Sequence, residues 1–157
     1  MQLARLMGRL TAGGKMGDGQ ARATGEKLSW NDLCFACAGD SDTLPWNLAL
    51  LKYQGDKQVY AEAKRQIVAW AHTVRWHEYA PVGKRWRVPD EILVAMTQAA
   101  LQDYVADRVG VSVAQLARFS GLKVHAFTNW SWVFKVMASH LNECEYDLEQ
   151  RIKKRLH

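Results

Sequence analysis

The chain has 157 residues, of which 48% are hydrophobic and 24% charged, and its formal net charge is +5. The 3 cysteines have no regular spacing, which excludes a secreted scaffold built on disulfides. No apolar stretch approaches the length of a membrane span, and Arg5 and Arg9 interrupt the apolar runs near the N-terminus. We therefore expect a soluble, cytoplasmic globular chain whose positive charge suits a nucleic-acid partner.

Residues 1–28 differ in composition from the rest of the chain. They hold 6 of the 11 glycines, and their cations outnumber their acids. We predict a flexible basic segment, because these residues lack the apolar mass for a core. Leu3, Leu6, Met7 and Leu10 nevertheless recur at helical spacing. Two interpretations stay open, a disordered leader and a docking element that becomes ordered against RNA or a partner protein.

Residues 29–157 are predicted to form one helical body. Apolar side chains recur every three or four residues, and no segment alternates apolar and polar residues as a strand would. Glycine and proline mark the ends of the segments. The predicted helices cover 29–39, 45–55, 56–77 and 89–110, and a basic loop covers 79–88. The fold class is therefore all-α.

The range 112–132 has the spacing of a helix-turn-helix. Ala117 is small where two helices must cross closely, and Gly121 supplies the positive φ that a tight turn needs. Ser112 is suited to cap the first helix. The apolar side chains that such a unit buries are Leu116, Leu122, Phe127 and Trp130.

If this interpretation holds, the second helix presents polar side chains to a DNA major groove. The candidates for base contacts are Lys123, His125, Thr128 and Asn129. Asn129 suits adenine best by its chemistry. The candidates for phosphate contacts are Gln115, Arg118, Lys84, Arg85 and Arg87. The same spacing also fits an ordinary helical hairpin that does not bind DNA.

After Leu122 the chain contains no glycine or proline. We expect the second helix to continue into a long C-terminal helix, with a bend near residues 139–142. Its apolar seam indicates an intramolecular core, and a dimer contact is the alternative. Trp132 lies off this seam, so it either stacks on a DNA backbone or, as we favour, packs in the core. The seam consists of Phe127, Trp130, Phe134, Met137, Leu141, Cys144, Leu148 and Ile152.

Metal, cofactor and catalytic chemistry find little support in the sequence. Cys34 and Cys37 have a zinc-like spacing, but a structural site needs four ligands and Cys144 is the only other cysteine. No phosphate-binding glycine loop and no catalytic triad is indicated. Asp and Glu are assigned mostly to helix starts and polar faces. We predict a protein that is not an enzyme and has neither a metal nor a cofactor.

Two blocks of the chain resemble the Q antitermination proteins of lambdoid phages, in their short form. The first comprises Asp56-Lys57-Gln58 with the helix ending Trp70-Ala71-His72-Thr73-Val74, together with 93–104. The second runs from Phe127-Thr128-Asn129-Trp130 to Cys144. A longer member of the family carries a cysteine-rich zinc insertion after the helix that corresponds to the one ending at Gly110. Here Val111-Ser112-Val113 follows directly, so the zinc role does not carry over.

The resemblance implies a function in bacteriophage late gene expression, in the cytoplasm of the bacterial host. Family members bind a double-stranded DNA element at the late promoter and load onto paused RNA polymerase holoenzyme, which includes the sigma factor. They then travel with the enzyme and allow read-through of pauses and terminators, by narrowing the RNA exit channel. The candidates for contacts with polymerase and nascent RNA are Arg5, Arg9, Lys15 and Arg22. The number of protomers on DNA stays open.

Two other functions are compatible with the sequence. One is a conventional helix-turn-helix repressor or activator that does not travel with polymerase. The other is a helical protein–protein adaptor whose hairpin only mimics the motif. An affinity for DNA that falls steeply as the salt concentration rises is expected of the two DNA-binding functions and not of the adaptor.

Overall fold

The structure is a computed structural model that describes residue 39 and the ranges 41–106 and 111–156. The described residues contain six α-helices, two short 3₁₀ helices and no strand, which confirms the all-α prediction. Three features of the sequence analysis lie outside these ranges. They are the predicted basic segment 1–28, nearly all of the predicted helix 29–39, and the zinc-like pair Cys34 and Cys37. The helices are α1 (Leu44–Tyr53), α2 (Tyr60–Ala71), α3 (Asp90–Ala106), α4 (Val113–Ser120), α5 (Val124–Asn129) and α6 (Ser131–Leu156), with 3₁₀ helices at Lys57–Val59 and Trp76–Glu78.

The chain divides into two compact units. The first unit combines the described residues up to Tyr60 with those from Cys144 onward, and the second covers the described residues within 61–143. In the first unit α1 packs its apolar side chains against the last turns of α6, and Leu50 and Tyr53 close the edge of this core. Its buried cluster consists of Trp46, Ala49, Leu148 and Ile152.

The first unit also buries an acidic side chain that the sequence did not single out. Glu145 Oε1 accepts a hydrogen bond of 2.7 Å from the Tyr53 hydroxyl and lies 3.5 Å from Lys52 Nζ, with both charged side chains at least nine-tenths buried. Glu149 is buried as well and pairs with Lys153 at 3.4 Å. The assignment of acids to polar faces is therefore wrong for these two residues.

The helix predicted over 56–77 is shorter in the structure. A 3₁₀ turn begins it, where the Asp56 carboxylate accepts from the backbone N–H of Gln58, and α2 then ends at Ala71. The Trp76 indole N–H donates to the Ala71 carbonyl at 2.9 Å, and the Thr73 hydroxyl donates to the Trp70 carbonyl at 2.7 Å. These side chains satisfy carbonyls at the helix end, so the chain turns without glycine or proline.

α3 matches the sequence prediction more closely. It begins directly after Pro89, and the apolar residues that recur at helical spacing along it are buried, namely Ile92, Leu93, Met96, Ala100 and Tyr104. The predicted end at Gly110 falls in 107–110, outside the described residues. The Thr97 hydroxyl lies 3.6 Å from Met137 Sδ of α6, which places α3 and α6 side by side in the core of the second unit.

The predicted continuous C-terminal helix is interrupted at Trp130. α5 ends at Asn129, α6 begins at Ser131, and α6 continues as one α-helix through residues 139–142. The Trp130 and Trp132 ring centroids lie 6.2 Å apart, whereas side chains two residues apart in one helix do not face each other. The interruption therefore brings the two rings together. Among the described helices, none is both long and apolar enough for a membrane crossing.

Candidate nucleic-acid interface

The range 112–132 contains α4, a turn at Gly121, α5 and the start of α6. α4 begins with a reciprocal cap. The Ser112 hydroxyl accepts from the backbone N–H of Gln115, and the Gln115 side-chain oxygen accepts from the backbone N–H of Ser112. Such a capping box satisfies two backbone N–H groups that have no partner within the helix. The prediction that Ser112 caps this helix is confirmed.

The turn between α4 and α5 depends on Gly121. Its φ is +80°, in the left-handed region that glycine adopts without a steric cost. The Ser120 hydroxyl donates to the Ala117 carbonyl at 2.7 Å and accepts from the backbone N–H of Leu122 at 3.1 Å. The turn is thus fixed by its own hydrogen bonds, and the predicted positive φ is confirmed.

The prediction of buried side chains in this unit is confirmed in part. Leu116, Ala117 and Phe127 are buried, whereas Leu122 and Trp130 are half-buried. α4 packs against both α3 and α5. The ring centroids of Phe127 and Phe134 lie 5.6 Å apart. This apolar layer sets the relative orientation of α4 and α5.

The four candidates for base contacts are all exposed. His125, Thr128 and Asn129 follow the spacing i, i+3 and i+4 and therefore share one face of α5. Lys123 stands next to them at the N-cap. The Thr128 hydroxyl donates to the Val124 carbonyl at 2.9 Å, so towards a ligand it offers an acceptor and a methyl group.

The electrostatic setting of this face is positive. From Arg108 to Asn142 the sequence contains no Asp or Glu, while it contains Arg118, Lys123 and Lys135. No carboxylate of α4 or α5 therefore repels a polyanion that approaches this surface. The absence of Asp and Glu from this range can be read directly from the sequence, although it does not belong to any motif.

The candidates for phosphate contacts are exposed but fall into two groups. Gln115 and Arg118 lie on α4, beside α5. The Gln115 oxygen belongs to the capping box, so its NH₂ group is the part that can donate to a phosphate. Lys84, Arg85 and Arg87 lie on the 79–88 loop, and in the described part of the chain no hydrogen bond, ion pair or ring contact joins that loop to α4 or α5.

Comparisons with protein-family models, curated proteins and solved structures return no match to this chain.

Trp132 belongs to the core of the second unit. It is 8% exposed, and its ring meets the buried Trp76 ring edge-on at 6.0 Å. Its indole N–H has no hydrogen-bond partner among the described residues. The preference for a core position is confirmed, and stacking of Trp132 on a DNA backbone is excluded by its burial.

Two features of this unit were not predicted from the sequence. Three apolar side chains, Val113, Phe119 and Val124, are exposed on or next to the ends of α4 and α5. Tyr79 and Trp86 are exposed within the basic loop. Helical periodicity predicts which face of a helix is buried, but it does not predict which apolar residues lack a neighbour to cover them.

Proposed function

We propose that this chain is a transcription antitermination factor that binds duplex DNA through α4 and α5. The observation that carries the DNA-binding part is the exposed polar face of His125, Thr128 and Asn129, held on a buried apolar layer and a fixed glycine turn. In a helix-turn-helix the second helix enters the major groove, and its exposed side chains contact base edges. Asparagine pairs with adenine through two hydrogen bonds, so Asn129 would carry sequence preference.

α5 is a regular α-helix of six residues. The major groove of B-form DNA is about 12 Å wide, which admits an α-helix of about 10–12 Å in diameter. Lys123 at the N-cap of α5 and Arg118 on the neighbouring α4 would pair with phosphates and hold the helix in register.

The antitermination part rests on the resemblance of two blocks to the Q proteins. In this chain the blocks fall on α2 and α3 and on α5 with the first half of α6. By that resemblance the protein would bind next to a phage late promoter, load onto paused holoenzyme and let it pass terminators. Nascent RNA and polymerase would meet Arg5, Arg9, Lys15 and Arg22, which lie outside the described residues.

Transcription in a purified system tests this function. RNA polymerase holoenzyme transcribes from the cognate late promoter through a strong terminator, with and without the protein. Read-through that disappears when the promoter-proximal DNA is replaced supports a factor loaded at DNA. Unchanged termination with tight, salt-sensitive DNA binding would instead assign a conventional repressor or activator.

The exposed apolar side chains of the same unit favour a second candidate, a helical adaptor. Val113, Phe119 and Val124 are exposed apolar side chains that a partner protein would cover in such an adaptor. An adaptor predicts no affinity for duplex DNA. A DNA-binding factor predicts an affinity that falls steeply as salt rises, since phosphate contacts release counterions.

A further inference from the structure

The 79–88 loop combines exposed rings with exposed cations. Tyr79 is 55% exposed and Trp86 49%, and the cations Lys84, Arg85 and Arg87 lie between or beside them. The Arg87 guanidinium lies 5.2 Å from the centroid of the Trp86 ring. From Tyr79 to Pro89 the sequence contains no Asp or Glu.

Each of the two exposed rings packs edge-on against another aromatic ring. The Trp86 ring meets the His77 ring edge-on at 5.9 Å, and the Tyr79 ring meets the Trp76 ring at 6.4 Å. Trp76 is buried and donates its indole N–H to the Ala71 carbonyl. The two rings are therefore held in place by an edge contact, and half of their surface stays available to a ligand.

Tyr79 also lines an open cleft of about 300 Å³ in the second unit. At the cleft Trp70 and His140 stack face to face, with centroids 3.7 Å apart and planes 1° from parallel. Lys135 supplies a cation, and Glu143 and Ser139 supply acceptors for hydrogen bonds. The cleft thus adds two stacked rings and the Lys135 cation to the groups of the loop, and it also holds the negative charge of Glu143.

We propose that the 79–88 loop and this cleft bind single-stranded nucleic acid. Unpaired bases would stack on Trp86 and Tyr79, and phosphates would pair with Lys84, Arg85 and Lys135. Only an unpaired strand offers the faces of its bases, and aromatic side chains with a cationic groove are the usual means of binding it. Stacking of bases on Trp86 and Tyr79 does not use the side chains of α5 and does not depend on the proposed duplex contact.

The alternative for the loop is the sequence prediction that its cations contact duplex phosphates. That role uses the charges of Lys84, Arg85 and Arg87 but leaves the two exposed rings without a function. The two roles differ in what they require of Trp86. A duplex contact survives its removal, whereas stacking of an unpaired base does not.

Fluorescence anisotropy with labelled oligonucleotides tests the proposal in the full chain. The probes are oligo(rU), oligo(dT) and a duplex, each of about 12 nucleotides or base pairs. Trp86→Ala should weaken binding to the single strands about tenfold and leave duplex binding unchanged. Trp86→Phe, which retains a ring, should restore most of the affinity. Tyr146→Ala is the matched control, because Tyr146 is an aromatic residue of the first unit that is 58% exposed.

Each outcome of this experiment either identifies the strand that binds or overturns the proposal. Tighter binding of oligo(rU) assigns the surface to RNA, and equal binding of the two strands assigns it to single strands in general. No binding of either strand at low salt, or an equal loss with Trp86→Ala and Tyr146→Ala, overturns the proposal. Asn129→Ala tests the α5 surface on the duplex probe, so failure of the one surface is distinguishable from failure of the other.

Discussion

The hydroxyl of Ser112 accepts a hydrogen bond of 3.2 Å from the backbone N–H of Gln115, and the Gln115 side chain returns one of 3.0 Å to the backbone N–H of Ser112. These two reciprocal hydrogen bonds form the N-terminal cap of α4. The cap therefore sets the position of the helix on which α5 packs.

Removal of the cap should destabilise the protein. Ser112→Ala is expected to lower the free energy of unfolding by about 1 kcal/mol, because the backbone N–H of Gln115 loses its acceptor. Urea denaturation followed by circular dichroism measures this. Ser112→Thr keeps a hydroxyl and should remain near the wild type; equal stability of all three proteins would show that the cap contributes nothing.

Two substitutions separate base contacts from phosphate contacts. Asn129→Ala should cost about 1–3 kcal/mol of binding free energy at one base position, whereas Arg118→Ala should weaken binding to all duplexes alike and reduce the salt dependence by about one counterion. Titration of a selected duplex, its single-base variants and a random duplex measures both effects. An equal loss on selected and random duplexes for Asn129→Ala would remove Asn129 from the reading face.

The two buried acids of α6 should differ in their contribution to stability. Glu145→Ala is expected to cost about 3–5 kcal/mol, because it takes the carboxylate from the buried ammonium of Lys52 and from the Tyr53 hydroxyl. Glu149→Ala should cost less, since its partner Lys153 is 38% exposed. Glu145→Gln keeps an acceptor for Tyr53 and should fall between Glu145→Ala and the wild type. Equal losses for Glu145→Ala and Glu149→Ala would contradict this account.

The first 28 residues should matter for read-through and not for DNA binding. Deletion of 1–28, or replacement of Arg5, Arg9, Lys15 and Arg22 by glutamine, is expected to spare duplex affinity and abolish read-through in the purified transcription system. Lys57→Gln with Lys154→Gln removes exposed cations elsewhere and serves as the control. A truncated protein that still passes the terminator would contradict this role.

Local signals predicted the elements that depend on local chemistry. Pro89 opens α3, Ser112 caps α4 and Gly121 ends it, and each of these residues acts through backbone conformation or a hydrogen bond within a few positions. The periodic burial of α3 followed from the same kind of signal. For α4 and α5 the sequence therefore predicted the turn and the exposed polar residues as well.

The sequence predictions were wrong where contacts between side chains determine the course of the backbone or the burial of a residue. α2 ends at Ala71 because Trp76 and Thr73 satisfy carbonyls at its end, and neither residue is a usual stop signal. The interruption at Trp130 accompanies the contact between the Trp130 and Trp132 rings, which helical spacing does not allow. Burial of Glu145 depends on Lys52 and Tyr53, more than ninety residues away in the sequence. Periodicity along one segment does not contain such information.

Selection from a random duplex library tests the central claim, that the α5 face recognises DNA sequence. Wild-type protein and the double variant His125→Ala with Asn129→Ala are carried through the same rounds at moderate salt. We predict that the wild type enriches one motif and that the variant loses preference at particular base positions while it keeps affinity for duplex DNA. Failure of the wild-type protein to enrich any motif, or the same motif from both proteins, would contradict the claim.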